Sequence, residues 1–389
     1  MSLLDSEVAL GTRFWIFPQA PHVPGYQRPD LVWLSTSPDR LLPGPADDKM
    51  YVVEPIPDKQ PYEFPFLPPY SGAAHPPVEP GSDGHFDHLD WFSPEFLAAH
   101  AFACVRRVLD IWESYLGRQI MWHFSPHYDR LEIVSRVHWR NAQSGYGFLE
   151  LGLEPAPDGR EHPFALNFDV IAHEVGHAIL FSLFGTTGVI ERGDFAPFHE
   201  ASADLVSLVS FLHFQTGIER LLRRTEGNLL TFNELNRIAE LDSERQFRLA
   251  SNSRRMSEVT GEVHDRSRPF TGAIFDTLVE LFHLGLVEDG LADQALLDLD
   301  IRQFDPRLLD RITQETRNAF TRRSLLFSTS LENARDAVGT VLARTWAELE
   351  PSTLTFGGVA EAMVEHASAS RWPAAASILE DNFIWREIL

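Results

Sequence analysis

Phe168-Asp169-Val170-Ile171-Ala172-His173-Glu174-Val175-Gly176-His177-Ala178-Ile179-Leu180-Phe181 is the stretch on which the reading of this 389-residue chain turns. It contains no proline and predicts a helix over Phe168 to Phe184, apolar on nearly every side and therefore buried. Buried ionisable groups cost several kcal/mol unless they are paired or bind a metal. Residues four apart on a helix stand about 40° apart in azimuth, so the imidazoles of His173 and His177 reach one point at the roughly 2.0 to 2.1 Å that zinc requires. Glu174 lies one position round from the first histidine. Its carboxylate flanks such a metal rather than capping it, as suits a general base acting on a metal-bound water. Plainer pairings also exist: Asp169, four residues before His173, could pair with it, and His177 could bond a backbone carbonyl.

A second helix follows, Phe198-His199-Glu200-Ala201-Ser202-Ala203-Asp204-Leu205-Val206-Ser207. Glu200 and Asp204 share a face at a four-residue spacing, where like charges repel and burial sharpens the repulsion. A cation beside them removes the conflict. With Glu200 as third metal ligand, Asp204 is placed to accept the free ring N–H of His173 and fix its tautomer. The interval of 23 residues from His177 to Glu200 lets the first helix end, a loop turn at Gly185, Gly188 and Gly193, and a new helix begin. Three protein ligands leave one position open, the catalytic rather than the structural pattern. A metzincin would need a histidine six residues after His177, where the chain has Leu183. Asp194 in place of Glu200 remains open as an aspartate-ligand variant.

Upstream of this pair, Ser93 is a good N-cap and Pro94 suits the first helical position. Phe96, Leu97, Ala101, Val105, Val108 and Trp112 then recur at helical spacing to about Leu116. Strands are expected at Gln119 to Phe124, Leu131 to Trp139 and Tyr146 to Leu151. Downstream, helices are expected at His199 to Phe214, Thr271 to Leu284, Pro306 to Thr321, Leu331 to Leu349 and Phe356 to His366. A small sheet first and helices later is an α+β arrangement.

Residues 1 to 80 hold 16 of the 26 prolines, which excludes long helices there. Short strands fit at Arg13 to Phe17 and Met50 to Val53. Three regions follow: a proline-rich extension over 1–90 that wraps the body, an α/β lobe over 91–185 ending in the His173 helix, and a mainly helical lobe over 186–389 carrying Glu200.

A formal charge of −23 repels phosphate backbones and anionic headgroups, so neither nucleic acid nor membrane is an expected partner. No run reaches the roughly 20 apolar residues that span a bilayer. Cys104 is the single cysteine, so no intrachain disulfide forms. Met1 to Gln19 lacks the basic start and apolar run of a signal peptide, and a cytoplasmic location is expected.

Asn141-Ala142 with Gly147-Phe148-Leu149-Glu150, then Asp169 to His177, then Glu200-Ala201-Ser202-Ala203-Asp204, together resemble the gluzincins and, within them, the thermolysin-like peptidases. Recognisable motifs cover roughly residues 95 to 280. The resemblance implies a thermolysin-like fold: a small mixed sheet with helices, the active-site helix at a junction, and a mainly helical C-terminal lobe. It implies a zinc ion on His173, His177 and Glu200. It also implies Asn141 and Ala142 as an edge strand that holds the substrate backbone, where an ordinary hairpin is the competing reading. His264, in Glu262-Val263-His264-Asp265-Arg266-Ser267, is implied as the group that steadies the oxyanion. Two departures stand out. Ala178 to His199 contains no tyrosine, which leaves oxyanion stabilisation to His264 or to Arg266 or Arg268, and no acidic calcium cluster follows Asp204.

The expected function is zinc-dependent hydrolysis of peptide bonds in peptides or proteins, with Glu174 as general base and His264 as its aid. Two alternatives share these residues: a zinc-binding scaffold without turnover, and a zinc hydrolase of small amides. Retention of Glu174 favours catalysis, since zinc alone does not require it.

Overall fold

Burial of the sheet's acidic residues explains why the proline-rich segment belongs to the body rather than standing apart. In the computed structural model, Glu132 is 1% exposed and accepts hydrogen bonds from Tyr51 Oη at 2.6 Å, Tyr62 Oη at 2.5 Å and Tyr70 N at 2.8 Å. Glu150, fully buried, accepts from Tyr62 N at 2.9 Å and Gln143 Nε2 at 2.6 Å, and pairs with Lys59. Residues from 51 to 70 are thereby fastened to the sheet by two carboxylates that could not otherwise be buried. Burial together with Glu132 pushes both the Tyr51 and the Tyr62 phenol up, so each stays a donor.

The structure describes residues 11–65, 67–155, 161–185, 193–231, 233, 235, 237–238, 248–302 and 306–389. They form two compact units, residues 11–185 and residues 193–238 with 248–389. The fold is mixed α and β, with small sheets and several helices.

In the first unit, β1 (Thr12–Ile16) pairs antiparallel with β2 (Asp30–Leu34). A four-stranded mixed sheet combines β3 (Met50–Val53), β4 (Leu131–Val134), β5 (Ala142–Gly145) and β6 (Phe148–Leu151) in the order β3-β4-β6-β5. β3 and β6 run parallel to β4, while β5 closes a hairpin with β6 and forms the edge. Gly147, at φ 91°, makes that hairpin possible; a Cβ there would also sit 2.6 Å from the Tyr128 ring. A further antiparallel pair, β7 (Leu153–Pro155) and β8 (Glu161–Pro163), leads to the next helix.

Helix α1 (Pro94–Leu116) is capped as expected, Phe96 N donating to Ser93 Oγ at 3.2 Å, and ends at Gly117 in the left-handed conformation. Its buried face packs on α2 (Phe168–Phe184) and the sheet. The strand expected at Gln119 to Phe124 does not form. Side chains satisfy that backbone instead: Ile120 N donates to Glu113 Oε1 at 2.9 Å and Ile120 O accepts from Lys49 Nζ at 3.1 Å, while Phe124 O closes a turn from His127 N. The strand expected to Trp139 stops at Val134, with only a bridge from Val137 to Lys59 beyond.

The second unit is helical: α3 (Phe195–Phe211), α4 (Gln215–Thr225), α5 (Val263–Glu288), α6 (Pro306–Glu348), α7 (Phe356–Ser368) and α8 (Ala374–Trp385). Helix α3 begins four residues earlier than expected and ends at Phe211. α4 and α8 were not anticipated, although Ile218, Leu221, Leu222 and Thr225 show the helical spacing of a buried face. Helix α5 starts before Pro269, because Glu262 caps it by accepting from Asp265 N at 2.7 Å. The two helices expected over 306–321 and 331–349 form one run, interrupted at Arg323 with φ −142° and ψ 43°.

Helix α5 is the axis of this unit, packing on α3, α6 and α8. It is long and apolar enough by composition to cross a membrane, unlike anything expected from the sequence, and 78% of that window is buried inside the protein. Its Asp276 meets Arg386 Nη2 at 2.5 Å, and Arg386 also donates to Asn252 O at 2.6 Å and Arg254 O at 2.9 Å. Gly272 leaves room for this guanidinium, since a Cβ there would lie 2.6 Å from Arg386 Cζ.

Candidate metal centre

Helix α2 is fixed at both ends. Asn167 Oδ1 accepts from Asp169 N at 3.1 Å and Val170 N at 3.4 Å, and Gly185, at φ 79°, returns its N–H to Phe181 O at 2.7 Å. Within the first unit the helix lies beside α1 and the edge strand β5. Val170, Ile171, Val175, Ile179 and Leu180 are all buried, and His173 and Glu174 are buried among them at 3% and 5% exposure. Asp169 takes a hydrogen bond from Gln19 Nε2.

The two imidazoles stand edge to face, centroids 4.7 Å apart, with His173 Nε2 and His177 Nε2 separated by 3.1 Å. Two nitrogens bound tetrahedrally to one zinc at about 2.05 Å would be about 3.3 Å apart. The pair therefore stands close to the spacing a shared ion needs.

On α3, Glu200 Oε2 lies 3.3 Å from Nδ1 of His264, which is carried on the first turn of α5. One ring nitrogen of each of His173 and His177 and one carboxylate oxygen of Glu200 lie within 4.8 Å of one another. Among the described residues no other set of three such ligands does so. Two imidazoles and one carboxylate are a donor set that zinc accepts, with one of four positions left over. The residues present fit the ion. No known family model and no curated protein matches the chain.

Asp204 follows Glu200 by one turn of α3 and is 4% exposed. Asp194, the alternative ligand, is otherwise engaged. Its Oδ1 accepts from Arg266 Nε at 2.9 Å and Nη2 at 2.7 Å, and its Oδ2 accepts from Phe356 N at 3.1 Å. These bonds also explain why Asp194, at the N-cap of α3, makes no side-chain cap. They occupy Arg266, which was one candidate for the oxyanion, while Arg268 lies 3.6 Å from Asp265. Gly188, one of the three expected turn positions, lies outside the described residues, whereas Gly185 and Gly193 both have positive φ.

Ala142 opens the edge strand β5 and is buried. Asn141 precedes it, its carbonyl accepting from Gly152 N at 3.0 Å, and its side-chain amide makes no hydrogen bond within the described residues. β5 is thus a hairpin strand that also stands at the sheet edge, since it pairs with β6 on one side only.

One cluster escaped the sequence reading. His123 packs on Phe181 at 5.5 Å and on Tyr146 at 5.3 Å between ring centroids, and its N–H donates to Ser182 Oγ at 3.2 Å. Tyr146 Oη meets His127 Nδ1 at 2.8 Å. Burial pushes the His123 imidazole down to about 4, so it is neutral. The cluster covers the helix one turn beyond His177. Only the density of aromatic residues over 122–128 hinted at it, since its members are distant in sequence.

Proposed function

We propose that the chain is a zinc-dependent endopeptidase with a thermolysin-like arrangement, in which His173, His177 and Glu200 hold the ion and Glu174 is the general base. The observation that carries this reading is the convergence of those three ligand atoms beside a buried glutamate that zinc itself does not need. When bound, zinc would supply Lewis acidity that polarises the scissile carbonyl and the attacking water.

The chain's own residues divide the remaining work. Glu174 takes the proton from the attacking water and passes it to the leaving amine, and its apolar surroundings strengthen that exchange. His264 donates to the developing oxyanion, replacing the tyrosine that Ala178 to His199 lacks. Asp204, buried one turn after Glu200 on α3, is the group proposed to orient His173 once the ion is bound. The free edge of β5 takes the substrate backbone as an added strand, with the Asn141 amide as a further donor or acceptor.

A mixed peptide library, incubated with wild type and with Glu174→Gln and read by mass spectrometry, tests the proposal. Cleavage by the wild type that falls by about 10²-fold or more in Glu174→Gln is expected. No cleavage by either protein would leave a zinc-binding scaffold, and equal cleavage by both would remove Glu174 from the chemistry.

A further inference from the structure

Within the second unit, a cavity of about 340 Å³ opens between α5, the segment from Leu296 to Arg302 and α8. Helix α5 contributes Glu280, His283 and Leu284, and α8 contributes Ile378 and Asp381. His283 is 1% exposed, and its Nε2 is buried with no hydrogen-bond partner. Buried polar atoms without partners are rare in native proteins, and this one belongs to a residue that lines a cavity. Its partner is expected from whatever occupies that space.

The charge of the lining states the sign of the occupant. Arg302 Nε is paired with Asp300 Oδ1 at 2.7 Å, and with Glu280, Asp298 and Asp381 also in the wall four carboxyl groups face one guanidinium. Glu280 Oε2 accepts from Asn382 Nδ2 at 2.9 Å, and its Oε1 has no hydrogen-bond partner among the described residues. A bare metal ion does not fit, because no three carboxylate or imidazole ligands here lie within 4.8 Å of one another. The occupant must instead reach separated groups and cover the aliphatic wall of Leu284, Leu296 and Ile378.

We propose that this cavity binds a small organic ammonium ion with a short aliphatic body, its nitrogen donating to Glu280 Oε1 and to the His283 ring. Burial pushes the Glu280 carboxyl up to about 7 and the His283 imidazole down to about 4. The imidazole is thus neutral, its tautomer protonated on Nδ1 offers Nε2 as an acceptor, and a cation beside Glu280 draws that carboxyl back to its ionised form. Binding near pH 7 therefore releases a proton to the buffer.

Calorimetric titration of the full chain at pH 7 tests this, with n-butylamine and 1,4-diaminobutane as probes and n-butanol and magnesium chloride as controls. Saturable binding of one amine per chain is expected, with proton release measured in buffers of different ionisation enthalpy. Affinity should fall by about tenfold or more in Glu280→Gln and in Leu284→Trp, which fills the cavity. Independently of any variant, the His283 ring nitrogen resonances should shift on saturation. No saturable binding of either amine, equal binding of n-butanol, unchanged affinity in both variants, or unmoved His283 resonances would each overturn the proposal.

Discussion

His264 Nδ1 stands 3.3 Å from Glu200 Oε2, so the group proposed to aid the oxyanion touches the group proposed to hold the metal. His264 is about half exposed and Glu200 largely buried, as suits a side chain that meets substrate and one that does not. This contact separates a catalytic role for His264 from a merely supporting one. His264→Ala should keep its zinc and lower kcat by about 10²-fold with little change in KM, in line with loss of an oxyanion donor. Parallel metal analysis and steady-state kinetics check it. Loss of zinc with the imidazole would instead make His264 a brace for Glu200.

The Asn141 side chain should act on binding rather than on the chemical step. Its amide makes no hydrogen bond among the described residues, beside an edge strand whose outer side is unpaired in the sheet. Asn141→Ala should raise KM by about tenfold, the worth of one hydrogen bond, and leave kcat nearly unchanged. A kcat loss at constant KM would contradict strand addition as the binding mode.

Removing Lys59 should show what holds the proline-rich segment to the first unit. Lys59 pairs with Glu150, a fully buried carboxylate. Lys59→Met leaves that charge without its cation and should cost about 3 to 5 kcal/mol, read by urea unfolding. Lys59→Met with Glu150→Gln should recover part of the loss. Equal stability of the single variant and wild type would show that the tyrosine and glutamine donors suffice.

Legibility in the sequence followed the range of the interactions. The helix of His173 and His177, the Ser93 cap and the strand at Met50 to Val53 rest on local periodicity and capping, and they appear where expected. The segment from Gln119 to Phe124 looked like a strand by composition, but Glu113 and Lys49 took its backbone groups, and neither is a sequence neighbour. Pro269 hid the first turns of α5, because it stands at the seventh helical position, inside the helix, where proline ordinarily argues against one. Likewise, Asp194 as a ligand could be set aside only once Arg266, 72 positions away, was seen to bond it. The proposed ligand set could be singled out from the sequence because the spacing of two histidines and the clash of two acids carry their own physics. The cavity of Glu280 and His283 was not, since two elements besides α5 build it.

The central claim is a zinc ion held by two imidazoles and one carboxylate, and X-ray absorption at the zinc edge on the purified chain tests it most directly. The account predicts about one zinc per chain, with two histidine nitrogens and light oxygen donors at about 2.0 to 2.1 Å, and loss of that ion in His177→Ala and in Glu200→Ala. A wild-type chain that binds no zinc after dialysis against the metal, or whose zinc persists unchanged in both variants, would contradict it.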